Sequence, residues 1–212
     1  IDRWDGYDKP DWNDDSNGDW ETAKRYLITK ENEEDHVIGS TAIEDIGEIN
    51  TGDPDELVEF VQWAQTNYPA DHYALNIWNH GSGATGVAYE QSCPDYCWEY
   101  GNEADKLELS EIDAALNEIT NNGENKLDIV GFDACLMATI EVVEAVAPYS
   151  DIMIGSEILE PGDGWDYSFL QLLVDNPATT PEQLGAKIVD TFVAQGQTSD
   201  QSYALTMLNM TI

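Results

Sequence analysis

Two short and almost uninterrupted apolar runs, residues 73–78 and 127–132, constrain the fold of this chain more than any other feature. Runs of this length, rich in Ile, Val and aromatic residues, are typical of strands buried on both faces of a parallel sheet. Shorter runs occur at residues 152–154 and 203–208, and residues 26–29 are a further strand candidate. These strands predict a buried sheet, which needs helices to cover it.

Helical patterns fill most of the chain between these runs. Asp53, followed by Pro54 and two acidic residues, is a typical helix start. Ser110, with a carboxylate close behind it, marks another. Three further helices are predicted, and three polar stretches are predicted as loops: helices over 135–147, 167–174 and 181–194, loops over 1–20, 30–53 and 84–106. This order predicts one α/β domain over residues 1–212, with a mostly parallel sheet and helices on both faces.

The charge of the chain restricts its partners. There are 43 acidic residues and only 8 Lys and Arg, which gives a formal net charge of −35. Such a field repels phosphate backbones, so nucleic acid is excluded as a partner. A dense acidic surface is typical of halophilic proteins, because salt screens the repulsion between carboxylates. The alternative is a surface that attracts calcium or cationic substrates. No apolar run is long enough to span a membrane.

Three cysteines are present, so at least one stays free if the other two pair. Cys93 and Cys97 could close a short disulfide loop, although such loops gain little stability. A structural zinc site is disfavoured, because there is no second cysteine pair and His72 and His80 lack the required spacing.

Reactive side chains follow the two most apolar runs, where each predicted strand ends. His80 follows the first strand and Cys135 follows the second. If these strands are parallel neighbours, both side chains emerge at the edge of the sheet where α/β proteins bind ligands. A cysteine thiolate is a nucleophile, and a nearby imidazole can take its proton and return it to a leaving amine. The spacing therefore predicts a hydrolase site, whereas a buried apolar cysteine and a structural histidine are the alternative.

Two backbone N–H groups could complete this site. The sequence predicts that Cys135 lies just before a helix, whose N-terminus favours negative charge. The N–H groups of Cys135 and Gly81 could then bind a developing oxyanion. Gly81 has no side chain to obstruct a substrate carbonyl.

The segments around both candidates carry recognisable motifs. They read Asn-His-Gly-Ser-Gly at residues 79–83 and Gly-Phe-Asp-Ala-Cys-Leu-Met-Ala at residues 131–138. Together with residues 47–54, 68–75 and 155–165, they resemble the clostripain family of cysteine peptidases, which belongs to the caspase-like clan. The resemblance covers nearly the whole chain, and the two motifs are specific in combination.

The resemblance implies an endopeptidase on a caspase-like three-layer α/β/α sandwich, with His80 and Cys135 as its catalytic pair and no cofactor required for the chemistry. Many members cleave after Arg or Lys. Asp133 would then lie beside the pocket for the basic side chain, since carboxylates pair well with guanidinium; the alternative is a helix cap. Three acidic residues of the next loop could line the same pocket or be solvated surface residues: Glu157, Glu160 and Asp163.

Other family features concern the extent of the chain and its processing. Members usually begin with another strand and helix, which have no counterpart here, so we expect a fragment of a longer chain that is completed by a missing segment or a separate processed chain. Some members cleave themselves at a basic residue in the loop after the histidine strand, and Lys106 is the candidate in this chain. We expect an extracellular or cell-surface protein, although no targeting sequence is present.

A calcium site is a further expectation. Asn13, Asp15, Asn17 and Asp19 place oxygen side chains at alternate positions around a glycine, as calcium loops do. Lys24 stands near the position where such a loop carries Glu. Some relatives need calcium, whereas a solvated turn is the alternative.

Two other functions compete with a peptidase. The first is a cysteine-dependent esterase or amidase, suggested by the His-Gly-Ser-Gly sequence. Against it, Cys135 lacks the flanking glycines of a nucleophile elbow, and no histidine follows it. The second is an inactive relative that acts as an acidic cation-binding module. Peptide cleavage after Arg or Lys that depends on Cys135 would separate a peptidase from both.

Overall fold

The structure is a computed structural model that describes residues 1–2, 20, 22–29, 38–90, 105–196 and 202–211. Contacts group the chain into two compact units. The first combines Ile1–Thr51 with Glu90–Asp105, and the second combines Gly52–Tyr89 with Lys106–Ile212. The expectation of one domain over residues 1–212 stays a prediction.

The described residues form eight strands and five α-helices. The strands are β1 (Ala23–Tyr26), β2 (Ala42–Gly47), β3 (Ala74–Trp78), β4 (Val87–Glu90), β5 (Asp105–Leu107), β6 (Leu127–Asp133), β7 (Ser150–Gly155) and β8 (Thr206–Asn209). The helices are α1 (Pro54–Asn67), α2 (Leu109–Ile119), α3 (Ile140–Val146), α4 (Leu170–Asp175) and α5 (Pro181–Gly196), with short 3₁₀ turns at Gly83–Thr85 and Tyr167–Phe169.

The first unit contains an antiparallel ribbon of β1 and β2. Arg25 donates a hydrogen bond across this ribbon to Glu44, with 3.0 Å between Nη1 and Oε2. The predicted strand at residues 26–29 is wrong by three residues, and residues 42–47 are a strand where the sequence predicts a loop. Because most of β2 is exposed, it lacks the apolar pattern that reveals buried strands.

The second unit is built on a four-stranded sheet in the order β3-β6-β7-β8. β3, β6 and β7 are parallel, and β8 is an antiparallel edge strand. β6 and β7 are buried along almost their whole length. The prediction of a mostly parallel, buried sheet is confirmed; an antiparallel strand at the edge is common in such sheets.

Separate apolar cores cover the two faces of this sheet. On one face, Val130 and Met153 pack against residues of α1, α2 and α3. On the other face, Ile129 and Ile152 pack against Phe192 of α5. Successive residues of a strand point to opposite faces, which is why Ile129 and Val130 belong to different cores. The chain therefore forms the predicted three-layer α/β/α sandwich.

Two helices begin later or earlier than the sequence predicts. α2 starts with a capping box between Glu108 and Glu111, not at Ser110. α3 starts only at Ile140, so the predicted helix from residue 135 is wrong over its first turn. Leu136 has a φ of +63°, which a right-handed helix cannot contain. Cys135 consequently lies in a turn rather than at a helix N-terminus.

We predict that Val146→Ala lowers the free energy of unfolding by about 2 kcal/mol, because it removes buried methyl groups and leaves a cavity. Val146 lies on α3 and is 0% exposed. Val174→Ala on α4 is the matched control, since Val174 is 73% exposed. Urea unfolding followed by circular dichroism measures both. Equal destabilisation of the two variants would contradict the assignment of α3 to the core.

Candidate active site

The two candidate catalytic residues leave the sheet from paired positions. β3 and β6 are parallel, and Trp78 is directly opposite Asp133. His80 lies two residues after Trp78, and Cys135 lies two residues after Asp133. Because neighbouring strands are about 4.8 Å apart, the two segments emerge side by side at the carboxyl edge of the sheet. The prediction that the strands before His80 and Cys135 are parallel neighbours is confirmed.

Gly81 fits tightly against the segment that carries Cys135. A Cβ at Gly81 would clash with the Cys135 carbonyl oxygen and lie 3.0 Å from the Ala134 Cβ. Gly81 also forms an antiparallel bridge with Val87. The hydrogen bonds of this bridge come from the flanking residues: Ala88 N–H to His80 O and Ser82 N–H to Gly86 O. In such a pair the central N–H points away from the partner strand, which leaves the Gly81 N–H directed to the side opposite Val87.

A second segment supports Cys135 from the other side. Leu136 N–H donates to Ile158 O at 3.0 Å, and Ala138 N–H donates to Ser156 O at 2.9 Å. The Cys135 Sγ accepts a hydrogen bond from the Glu160 N–H at 3.3 Å. The thiol is partly buried. His80, by contrast, is exposed, so the imidazole is open to solvent and substrate.

Asp133 is the centre of a hydrogen-bond network below this edge. It ends β6 and is only 3% exposed. Both carboxylate oxygens accept from the Trp165 N–H at 3.1 Å, and Oδ2 accepts from the Tyr167 hydroxyl at 2.9 Å. The Tyr167 oxygen accepts in turn from the Asn76 side-chain amide at 2.7 Å. Asp133 therefore fixes residues 165–167 against β3 and β6.

Glu160 is the second carboxyl group of this network. Its carboxyl group is close enough to that of Asp133 to form a hydrogen bond, and its Oε1 lies 3.5 Å from the Trp165 Nε1. Burial, together with the neighbouring Asp133 charge, raises the pKa of Glu160 to about 8. Burial also raises the pKa of Asp133 and the pKa of Tyr167. A neutral carboxyl group next to a carboxylate is the arrangement that these shifts favour.

Tryptophan rings and glycines shape the space around the carboxyl groups. A Cβ at Gly164 would lie 3.0 Å from Oδ1 of Asp133 and 3.2 Å from Nε1 of Trp78. Gly164 also has a φ of +65°, which favours glycine. A Cβ at Gly131 would lie 2.9 Å from the Trp165 ring. Trp78 is 65% exposed, so its indole ring is accessible beside the acidic pair.

The other predicted site residues have different surroundings. Glu157 is exposed and its Oε1 accepts a hydrogen bond from Thr206 at 3.1 Å. Asp163 is also exposed. Lys106 lies on β5, with Nζ 5.6 Å from the centroid of the Tyr89 ring. Of the three loop acids, the structure thus brings only Glu160 together with Asp133.

Several predicted residues lie outside the described part of the chain: Asn13, Asp15, Asn17, Asp19, Cys93 and Cys97. Calcium binding by the first four therefore stays a prediction. Within the described residues, no cluster of three or more His, Cys, Asp or Glu side chains could hold a metal ion. No helix of this part is long and apolar enough to cross a membrane.

Sequence reasoning missed the residues that hold the acidic pair. Trp165, Tyr167 and Asn76 contact it from distant positions, and none belongs to a charge or spacing pattern. The available signal is the aromatic sequence of residues 165–167, which follows a loop rich in glycine and acids. Buried Tyr and Trp usually need a polar partner, and that requirement could have directed attention to Asp133.

Fold and site together define an α/β/α protein that presents a thiol, an imidazole and a buried carboxyl pair at one sheet edge. The profile described as the Clostripain family matches residues 20–211, so the chain belongs to this family. It is 35% identical over 130 residues to clostripain of Hathewaya histolytica, which covers 57% of this chain and 24% of that protein. The chain thus spans about a quarter of the curated relative that it matches.

Solved structures share the fold. One is a secreted C11 cysteine protease from Bacteroides thetaiotaomicron in complex with an irreversible peptide inhibitor, with a TM-score of 0.63 at 21% identity, covering 84% of this chain and 51% of that chain. Another is an inactive zymogen C11 protease from Parabacteroides distasonis, with a TM-score of 0.60 at 22% identity, covering 81% and 44%. The predicted caspase-like fold and family are confirmed.

We predict that Gly81→Ala lowers the melting temperature by several degrees, because the new methyl group displaces the Cys135 segment at a cost of about 1–3 kcal/mol. Gly162→Ala is the matched control, since a Cβ there would meet no atom within 4 Å. Differential scanning fluorimetry measures both variants. An unchanged melting temperature for Gly81→Ala would show that the two segments are not in contact.

Proposed function

We propose that this chain carries the catalytic site of a cysteine endopeptidase, with Cys135 as the nucleophile and His80 as its acid/base partner. The observation that carries the proposal is the register of β3 and β6, which starts both segments from the pair Trp78 and Asp133. Membership of the clostripain family supports it. Because the chain covers only part of its relatives, the proposal concerns this site rather than the complete activity of a longer protein.

The residues at this edge suit acyl transfer. His80 takes the proton of the Cys135 thiol, and the thiolate forms a C–S bond to the scissile carbonyl carbon. The carbonyl electron pair moves onto the oxygen, where the N–H groups of Gly81 and Cys135 stabilise it. The imidazolium then protonates the leaving amine as the C–N bond breaks, and water hydrolyses the thioester with the roles reversed. The dipole of α3 does not act on this oxyanion, because α3 begins five residues after Cys135, at Ile140.

The acidic pair supports a preference for Arg or Lys before the cleaved bond. Asp133 lies two residues before Cys135 and ends β6 directly below the turn that carries the thiol. A buried carboxylate attracts a guanidinium or ammonium group far more strongly than an exposed one. Trp78 offers a flat ring against which a basic side chain can pack its stem or stack its charge. Substrates would therefore be peptides or proteins with basic residues.

The setting of the protein is also a proposal. A relative of the same fold is a secreted protease, and the net charge of −35 suits an extracellular, salt-rich medium. We accordingly propose a secreted or cell-surface protein adapted to salt. We also propose that calcium is bound by the acidic N-terminal stretch and takes no part in the proton transfers described above.

We predict that the protein cleaves fluorogenic peptides ending in Arg or Lys and that Cys135→Ala lowers kcat/KM at least about a thousandfold. Peptides ending in Asp or Leu are compared at low and high salt, with and without calcium. Ser82→Ala is the control, because Ser82 has no role in the proposed chemistry. Ester hydrolysis without peptide cleavage would favour the esterase alternative, and inactivity under all conditions would favour a cation-binding module.

Self-processing at Lys106 remains the proposal for maturation, and the zymogen state of one structural relative supports it. A strand must leave its partner to enter a protease site, so cleavage after Lys106 requires β5 to separate from β4. We predict that wild type becomes a two-chain form on incubation and that Cys135→Ala and Lys106→Gln stay intact. Lys126→Gln is the matched control and should be processed as wild type. Equal nicking of Cys135→Ala on denaturing gels would disprove self-processing.

A further inference from the structure

In the part of the chain that the structure describes, the two carboxyl groups at the end of β6 form no ion pair with a basic side chain. Among the described residues, the ionisable groups around Glu160 and Asp133 are each other and the Tyr167 phenol. The Cys135 Sγ forms its hydrogen bonds with the backbone of Glu160 and not with its carboxyl group. The ion pairs that Lys24, Arg25 and His72 form go to other carboxylates. Each of two neighbouring carboxyl groups in such a place disfavours ionisation of the other, so one of them keeps its proton at neutral pH.

The hydrogen bonds decide which carboxyl group keeps its charge. A carboxylate offers about four acceptor positions. At Asp133, the Trp165 N–H reaches both oxygens, the Tyr167 hydroxyl takes another position and Glu160 supplies the remaining bond. Only a protonated carboxyl can donate. The donors to Asp133 are close, whereas the donor to Glu160 is the more distant Trp165 ring N–H. Asp133 is therefore the carboxylate that accepts the hydrogen bond between the two groups, and Glu160 carries the shared proton.

We propose that Glu160 carries this proton in the empty pocket and releases it to solvent when the cationic side chain of a substrate binds, which makes Glu160 a specificity-determining residue. The inference rests on the proposed preference for Arg and Lys. The O–H bond of Glu160 breaks, its electron pair stays on the carboxylate oxygen, and water or buffer takes the proton. The substrate cation then replaces the proton between the two carboxylates, so the step needs no other reactant.

This exchange fixes the direction of the pH dependence. The pKa of Glu160 in the empty pocket is raised to about 8, and the titration belongs to the pair rather than to one residue. Below that pH only one of the two carboxyl groups is ionised in the empty pocket, whereas both are ionised when a cation is bound. Binding of a cation therefore releases a proton and becomes stronger as the pH rises. Above about pH 8 both carboxyl groups are already ionised and the dependence ends.

The test compares two peptides that differ only in charge, one ending in arginine and one in its neutral isostere citrulline. The ratio of their kcat/KM values cancels the titration of His80 and Cys135, which both substrates share, and reports on the free pocket. We expect the wild-type ratio to rise about 50-fold between pH 6 and pH 8 and then level off, as a single proton with a midpoint of about 8 requires. Ionic strength is held constant.

Variants separate titration from structure. Glu160→Gln keeps a donor toward Asp133 but cannot ionise, so its ratio should stay at the low-pH wild-type value at every pH. Glu144→Gln makes the same change at an exposed position on α3 and should follow the wild-type profile. A pH-independent wild-type ratio that still favours arginine would overturn the role of Glu160 while the proposed function stands. A ratio near one at every pH would overturn both the role of Glu160 and the proposed preference for basic residues. If Glu160→Gln fails to fold, the pH profile of the wild-type ratio is the deciding measurement.

Discussion

The parallel pairing of β3 with β6 is the constraint on which the site depends. The register places Trp78 opposite Asp133. The two segments that follow these residues therefore leave the sheet at the same level, one with His80 and the other with Cys135. Burial of β6 on both faces fixes this register, because a shift by one residue would move its apolar side chains into the wrong core. The chemistry at the edge thus follows from packing at the centre of the sheet.

Asp133 connects the packed centre of the sheet to the loop that borders the candidate site. Its carboxylate accepts hydrogen bonds from residues 165–167, while the adjoining turn is bonded to residues 156–160. One loop is therefore attached to β6 at both ends of the turn that carries Cys135. A neutral residue at position 133 would leave these donors with a weaker partner. The same side chain therefore holds the loop beside Cys135 and is the one for which we propose recognition of a cation.

The sequence predicts the parts of this arrangement that local patterns encode. Apolar runs reveal β3 and β6, and their ends locate His80 and Cys135 without reference to any contact. The turn at Leu136 depends on a positive φ at a residue that rarely adopts it, so the sequence instead predicts a continuous helix. β2 is missed because its exposure removes the apolar pattern. Glu160 could not be separated from Glu157 and Asp163, since their neighbours are set by the path of the loop.

The carboxylates on the surface and the carboxyl pair of Asp133 and Glu160 respond differently to salt. The net charge of −35 comes from 43 acidic residues against 8 Lys and Arg, and at molar salt the field of exposed carboxylates decays over about 3 Å. Asp133 is buried and Glu160 is partly buried, so ions screen this pair far less. In concentrated salt, the long-range attraction between the acidic surface and a basic peptide would be lost, while the proposed attraction inside the pocket would persist. The proposed selectivity for a cation would therefore depend on burial and on one exchangeable proton rather than on total charge.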